Sequence, residues 1–180
     1  MDNSSRNTNL NEMFFKVKLL DIFTNIPETD SSIKIPGKKA LLNANNNCPI
    51  SIVSDNYEVV TNEAAYNYGI KCLKSLFKLK EQDKIEVFNI VRPSTLSFCH
   101  VDIISNTKTF ELYGDTYFPF MRVTNSYNKM FKLYLRVGIC RSICENGMIF
   151  GDNSIKFSYN HMKGASEKVN FEIESNALDK

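Results

Sequence analysis

The residues best suited to chemistry lie at the two ends of one apolar ribbon. In RVTNSYNKMFKLYLRVGICRSICENGMIFG, residues 122–151, alternating apolar residues separate a polar group at 125–129 from a second group at 140–147. The second group holds two thiols, a guanidinium and an amide, and a histidine follows one strand later. Side chains of these types can bind a metal, act as nucleophile and base, or hold an anion.

A metal site is not predicted from the cysteines. Cys140 and Cys144 are spaced C-x3-C, whereas structural zinc sites usually combine C-x2-C pairs. Cys99, His100 and His161 are the residues that could complete a ligand set. The favoured interpretation is small, reduced thiols buried beneath a sheet.

Catalysis is not predicted either. Cys144 and His161 could act as nucleophile and base, with Asn146 orienting the ring, but neither residue lies in a known catalytic signature. The chain has two histidines and no dense acidic cluster, so a metal-dependent nuclease would lack ligands. Neither a G-x-G-x-x-G motif nor a Walker loop occurs. We therefore expect a protein that is not an enzyme and that carries no cofactor.

With a metal site and catalysis not predicted, the remaining possibility is a site that binds a ligand. Residues 125–129 predict a hairpin loop, because Asn and Ser tolerate turn conformations, and Tyr127 at its tip is a candidate exposed stacking ring. Arg141 has a planar fork suited to a buried carboxylate, backbone carbonyls or phosphate. The candidate binding residues are Asn125, Ser126, Tyr127, Lys129, Lys132, Tyr134, Arg136, Arg141, Asn146 and His161.

Positive charge is concentrated in the middle of the chain. Residues 71–141 contain twelve Lys or Arg and six Asp or Glu, a net charge of about +6, although the whole chain carries only +2. Lys71, Lys74 and Lys78 form a candidate basic face on one helix, for which a solvated surface is the favoured interpretation. A basic centre is a weak indication of a polyanion or an acidic protein surface.

The elements that must position these residues are one helix and many strands. An apolar stripe of Tyr66, Ile70, Leu73 and Phe77 predicts a helix over residues 62–80, capped by Thr61 or Asn62. From residue 85 the apolar period becomes two, and Leu133, Leu135 and Val137 alternate with Lys132, Tyr134 and Arg136.

The predicted fold class is α+β, a single domain in which one main helix packs on an antiparallel meander. Two short strands around a Pro-Gly turn are expected within residues 33–42, and residues 169–173 (VNFEI) are a candidate edge strand. We expect a disordered tail at 1–12, a domain at 13–175 and a C-terminal tail at 176–180. At 43% hydrophobic residues, wholesale disorder is excluded. No leader and no apolar run long enough for a membrane span is visible, so a cytosolic protein is expected.

The motifs resemble the phage/plasmid-like protein family of unknown function. N-S-Y-N at 125–128, R-S-I-C-E-N at 141–146 and a histidine after a further strand match that family's N-S-[HY]-[DN], R-x-[VI]-C-x-N and downstream His. The segment ALLNANNNCPISIVSDNYEVVTNEAAY, residues 40–66, is similar to the part of the family that precedes a helix. The resemblance covers about residues 33–164. Two departures are Lys129, where the family often has Gly, and a chain that stops soon after the histidine, as expected of a shortened member.

The resemblance implies carriage on phages, plasmids and integrated elements, and no established activity. It implies that Asn125, Ser126, Arg141, Cys144, Asn146 and His161 converge at one end of the sheet. We expect an accessory protein in a bacterial cytoplasm that antagonises host defence of the anti-CRISPR or antirestriction type. Its partner would be a CRISPR nuclease, a restriction complex or a guide RNA. The alternative is a single-stranded nucleic-acid binding or annealing protein.

Overall fold

The structure, a computed structural model, describes residues 10–141, 148–149 and 155–178. The chain forms α1 (Leu10–Met13), β1 (Val17–Asn25), β2 (Ser32–Asn43), β3 (Pro49–Ser54), α2 (Asn62–Phe77), β4 (Ile85–Val91), β5 (Phe98–Ser105), β6 (Phe110–Leu112), β7 (Asp115–Ser126), β8 (Leu133–Arg141), β9 (Met148–Ile149), β10 (Lys156–Tyr159) and α3 (Ala165–Leu178). The single α+β domain with one main helix on antiparallel strands is confirmed. Within the described residues, no helix is both long and apolar enough to cross a membrane.

The strands form two sheets, not the one that was predicted. β1, β2 and β3 make a three-stranded sheet, and a seven-stranded sheet follows the order β10-β8-β7-β5-β4, with β6 on β7 and β9 on β8. Every named pair is antiparallel, and β4, β5, β7 and β8 form the expected meander.

The helix α2 covers one face of the seven-stranded sheet. Thr61 is its N-cap and accepts a hydrogen bond from the Ala64 amide, as the sequence predicted. Its most buried positions are Ala65, Gly69, Cys72 and Leu73, so the packed stripe is centred on smaller residues than the predicted one. At Gly69 an added Cβ would lie 2.3 Å from Cγ2 of Val123 on β7, which shows how closely the helix approaches the sheet.

Two local predictions were wrong. Residues 33–42 form part of one continuous strand, because Gly37 adopts a φ of +69° inside β2 and Pro36–Gly37 does not reverse the chain. The register between β1 and β2 shifts between Asp21 and Phe23. There Ile22 of β1 stands opposite residues 35–38 of β2, so β2 carries three additional residues while the antiparallel pairing continues on both sides.

The segment 169–173 is helical rather than an edge strand. A strand would place Val169, Phe171 and Ile173 on one face, yet Val169 and Ile173 are buried while Phe171 is 71% exposed. That burial follows the four-residue period of α3, which packs beside α2. Helix also occupies Leu10–Met13 and reaches Leu178, so the described parts of both predicted tails are helical.

Candidate functional site

The hairpin predicted at residues 125–129 joins β7 to β8, but over residues 127–132, and the polar motif at 125–127 is part of the core. Asn125 and Ser126 are the last residues of β7, and both are fully buried. Nδ2 of Asn125 donates to the backbone oxygen of Val60 at 2.9 Å and to Oδ1 of Asn62 at 2.8 Å. These two bonds fix the end of β7 against the start of α2, while Oδ1 of the same amide has no hydrogen-bond partner among the described residues.

Tyr127 cannot be the exposed stacking ring that the sequence suggested, because its side chain is 0% exposed. Its hydroxyl accepts a hydrogen bond from the backbone N–H of Asn62 at 2.8 Å, and its ring packs edge-on against Phe15 at 5.5 Å. Burial raises the pKa of the Tyr127 hydroxyl, which therefore stays neutral. Tyr127 and Tyr57 belong to a small second core beneath the three-stranded sheet.

Ser126 forms hydrogen bonds with Phe131 and Tyr57, two residues that line a surface pocket. Its hydroxyl donates to the backbone oxygen of Phe131 at 2.7 Å and accepts from the Phe131 amide at 3.1 Å. Its backbone oxygen accepts a hydrogen bond from the Tyr57 hydroxyl at 3.0 Å. The motif therefore acts as a scaffold that sets the positions of Phe131 and Tyr57.

His161 lies in that pocket. Its ring stacks on Tyr57 with centroids 5.3 Å apart and an interplanar angle of 17°, and the residue is 8% exposed. Neither ring nitrogen has a hydrogen-bond partner among the described residues. Burial lowers the pKa of His161, against a smaller opposing effect of the nearby Glu58. The neutral ring offers one donor and one acceptor.

The pocket encloses about 350 Å³ and is lined by Ser54, Tyr57, Lys129, Phe131, Lys132, Asn160, His161 and Met162. None of these residues is acidic. The exposed ammonium groups of Lys129 and Lys132 give the wall a positive charge, while Phe131 and Met162 supply apolar surface. We call this cavity the His161 pocket.

A second group of candidate residues lies on the face of the seven-stranded sheet that α2 does not cover. Arg122, Arg136 and Lys156 stand at directly opposite positions on β7, β8 and β10. We call these three residues the cationic row. Arg122 donates two hydrogen bonds to the buried Asp102 on β5, at 2.6 and 2.8 Å. Like charges opposite one another across a sheet are unfavourable without a compensating anion.

Tyr134 lies beside this row with two cations over its ring. Nζ of Lys156 is 4.4 Å and Cζ of Arg136 is 5.5 Å from the ring centroid. Leu133 and Leu135, its neighbours along β8, are buried beneath α2, so alternation places Tyr134 on the opposite face. Burial and then the charge of Arg122 lower the pKa of His100 on the same face.

The predicted convergence of the motif residues is wrong for Arg141. Tyr134 pairs with Thr124 at the end of the sheet that holds Asn125, whereas Arg141 pairs with Tyr117 at the other end. Leu133 begins β8 at the end near Asn125 and Arg141 finishes it, so at about 3.3 Å per residue the two residues are about 25 Å apart. The Arg141 guanidinium donates to the half-buried carboxylate of Asp115 at 2.6 Å, and a carboxylate was one of the three kinds of partner that the sequence left open. The other two members of the predicted cluster, Cys144 and Asn146, lie outside the described residues.

The basic face of α2 is separated from the other candidates. Lys71 and Lys74 are exposed on the helix, and Lys78 follows its last turn in a left-handed conformation. Because α2 and the cationic row occupy opposite faces of the sheet, one bound strand cannot contact both without wrapping around an edge.

The thiols are dispersed. Cys99 belongs to the core beneath α2, and Cys140 belongs to a small cluster with Ile104 and Phe120 on the other face. Burial raises the pKa of Cys72 and Cys99 to about 12, so these thiols are protonated. Because Cys99 and Cys140 lie on opposite faces of the sheet, they cannot bind the same metal ion.

Sequence reasoning did not place Arg122, Lys156, His100 or Tyr57 in these sites. Arg122 was counted among the central cations, Lys156 was seen only as a member of a strand, and His100 was considered as a possible zinc ligand. Their polar positions in alternating segments were a usable signal. Tyr57 sits in the segment that resembles the family, but its partnership with His161, 104 positions later, has no local signal.

The family described as "Domain of unknown function (DUF932)" matches residues 49–174. The match begins at β3 and extends into α3, so it spans both the His161 pocket and the cationic row. No curated protein and no solved structure matches the chain.

Proposed function

This chain belongs to the DUF932 family, and we propose that it binds single-stranded nucleic acid on the cationic row and Tyr134. Nucleic-acid binding was the alternative function expected from the sequence. The surface that supports it differs from the one anticipated, since Tyr127 is buried and Lys71, Lys74 and Lys78 lie across the sheet.

The observation that carries the proposal is the cationic row itself. Three cations at directly opposite positions on neighbouring strands repel one another, and only Arg122 has a carboxylate partner among the described ion pairs. A phosphate backbone laid across the strands would neutralise Arg136 and Lys156 and release counterions. Such a row is therefore a favourable binding surface for a polyanion.

Stacking supplies the second component. Tyr134 is half-buried, so one part of its ring remains accessible beside the cations. Beyond Thr124, the rings of Phe98, His100 and Phe131 pack together with centroids 5.2–5.6 Å apart. Bases stack on such rings without sequence preference, because every base has a π-face. The proposed activity is binding without chemical conversion of the strand.

Anisotropy titrations with labelled single-stranded DNA and RNA, repeated over a range of salt, test the proposal. Arg136→Ala or Lys156→Ala should weaken binding and reduce the salt slope by about 0.7 for each lost phosphate contact. Tyr134→Ala should cost about 1–3 kcal/mol through lost stacking. The matched controls Lys71→Ala and Lys74→Ala should change neither quantity. If the α2 variants lost as much affinity as the variants of the cationic row, the assignment of strand binding to the cationic row would be refuted.

A second candidate function is the antagonism of host defence. We infer it from the resemblance to phage- and plasmid-carried proteins together with an exposed apolar hairpin in β1–β2. Phe23 is 57%, Ile33 is 55% and Ile35 is 37% exposed on that hairpin, a surface suited to a protein partner. The partner would be a CRISPR nuclease or restriction complex in a bacterial cytoplasm, and the cationic row would contact its guide RNA or DNA.

A pull-down from a host with active defence systems, with and without nuclease treatment, tests this candidate. Recovery of one defence effector that survives nuclease and is lost in Phe23→Asp would support antagonism. Tyr134→Ala should leave a purely protein-mediated complex intact. Recovery of mixed nucleic acid with no defence protein would refute antagonism and leave strand binding as the function.

A further inference from the structure

We propose that the His161 pocket binds the phosphate monoester of a nucleotide, either a free mononucleotide or the phosphorylated end of a strand. This inference does not depend on the cationic row, which binds phosphodiesters along a chain. It rests on an unpartnered buried histidine, two lysines and apolar walls.

The wall chemistry fits a phosphate beside a ring. A volume of about 350 Å³ falls within the range of small-molecule sites, about 300–1,000 Å³. Lys129 and Lys132 provide positive charge, and the lining contains no carboxylate, although the charge of Glu58 acts on His161 from outside the pocket. Phe131 and Met162 provide apolar surface for a base.

His161 supplies a polar group that the described protein does not satisfy. The residue is more than nine-tenths buried, and both ring nitrogens are without a hydrogen-bond partner among the described residues. Buried polar groups are normally hydrogen-bonded, so an unsatisfied imidazole calls for a partner. Stacking on Tyr57, whose own hydroxyl is held by the Ser126 backbone, keeps the ring at the pocket wall. Both ring nitrogens are buried, so a bound phosphate oxygen would accept the imidazole N–H after a rotation of the ring toward the pocket.

Lys129 lines the pocket with a left-handed backbone. Its φ is +63°, in the region that glycine adopts readily and a lysine adopts at a cost. Five other described non-glycine residues share this region, so the conformation identifies a position where glycine can be substituted and does not by itself mark a site.

Proton–carbon NMR of the histidine rings provides the test, because the chain has only two histidines. Adenosine or uridine 5′-monophosphate should shift the His161 resonances strongly and those of His100 less, because His100 does not line the pocket and contacts it through the Phe131 ring. The free nucleosides should not bind. Inorganic phosphate that bound as tightly as the mononucleotides would overturn the proposal, because it would show only an adventitious anion site.

Variants separate binding from folding. Lys132→Ala should weaken mononucleotide binding about tenfold, the loss expected for one charge-assisted contact. Lys129→Gly should weaken it similarly while its thermal midpoint stays equal or rises, because glycine relieves the left-handed strain. Lys71→Ala, on α2, is the matched control and should bind normally. Unchanged affinity in both pocket variants would overturn the proposal.

A final comparison distinguishes the two sources of the phosphate. If a strand end is the ligand, a 5′-phosphorylated oligonucleotide should bind more tightly than its 5′-hydroxyl counterpart, and Lys132→Ala should remove the difference. If a free mononucleotide is the ligand, the two oligonucleotides should bind equally while the mononucleotides still shift His161. Tyr134→Ala should weaken oligonucleotide binding alone, so a failure of the cationic row would be distinguishable from a failure of the pocket.

Discussion

Replacing Tyr127 by Phe removes one oxygen atom from the centre of the motif and leaves the ring in place. The hydroxyl accepts the backbone N–H of Asn62 at 2.8 Å, and that N–H belongs to the first turn of α2, where no helical carbonyl is available. Asn62 is 2% exposed and Tyr127 is 0% exposed, so water cannot easily replace the lost acceptor.

The magnitude follows from that geometry. Leaving one buried donor unsatisfied costs about 1–3 kcal/mol, and no cavity term is added because the ring remains. For a chain of 180 residues, each kcal/mol corresponds to a fall in thermal midpoint of about 2–4 °C. The binding of single-stranded nucleic acid should not change, because Tyr127 does not reach the surface.

Urea denaturation followed by circular dichroism measures the effect. The midpoint should fall while the m-value stays constant, since the surface exposed on unfolding is the same. Tyr113→Phe is the matched control, because Tyr113 is fully exposed. A loss below about 0.5 kcal/mol in Tyr127→Phe, within the range of ordinary surface substitutions, would refute the buried-acceptor argument.

Two further predictions concern the elements that frame the site. Gly69→Ala should destabilise the protein by about 1–3 kcal/mol in the same assay, because its Cβ would lie 2.3 Å from Cγ2 of Val123; a neutral effect would mean that α2 does not approach β7 so closely. Glu58→Gln should cost about 1 kcal/mol near neutral pH, because the carboxylate accepts the Gly164, Ala165 and Ser166 amides at 2.6–3.0 Å and caps α3. Burial raises the pKa of Glu58, but these hydrogen bonds and that of the Ser166 hydroxyl hold it below the ordinary 4.5, so the stabilisation exists above about pH 4.5. The gap between wild type and Glu58→Gln should close as the pH falls below 4.5, and a gap that persisted there would contradict the capping role.

The fold class could be predicted because it depends on local patterns. The Thr61 cap, the helical period of α2 and the alternation of Leu133, Leu135 and Val137 each express one local preference of the chain. Residues 169–173 could not be assigned in this way, since a five-residue apolar run has no distinctive period. Helix prevailed there because its four-residue spacing buries Val169 and Ile173 against the rest of the core.

The candidate site could be predicted only in part. The sequence identified Tyr134, Arg136 and Lys132 as one polar face of a strand, and the structure places Arg136 beside Arg122 and Lys156. That neighbourhood depends on register between strands, which no single strand specifies.

By itself, the sequence determined the class of fold, the main helix and its cap, the polar alternation of β8 and the excess of positive charge in the middle of the chain. These properties follow from side-chain types at short separations, for which the period of the backbone is sufficient. Only the tertiary structure decided that Asn125, Ser126 and Tyr127 are buried, that Arg141 is remote from them, and that His161 stacks on Tyr57. Burial and long-range pairing depend on which surfaces meet when two sheets and three helices pack, and the spacing of residues along one strand does not contain that information.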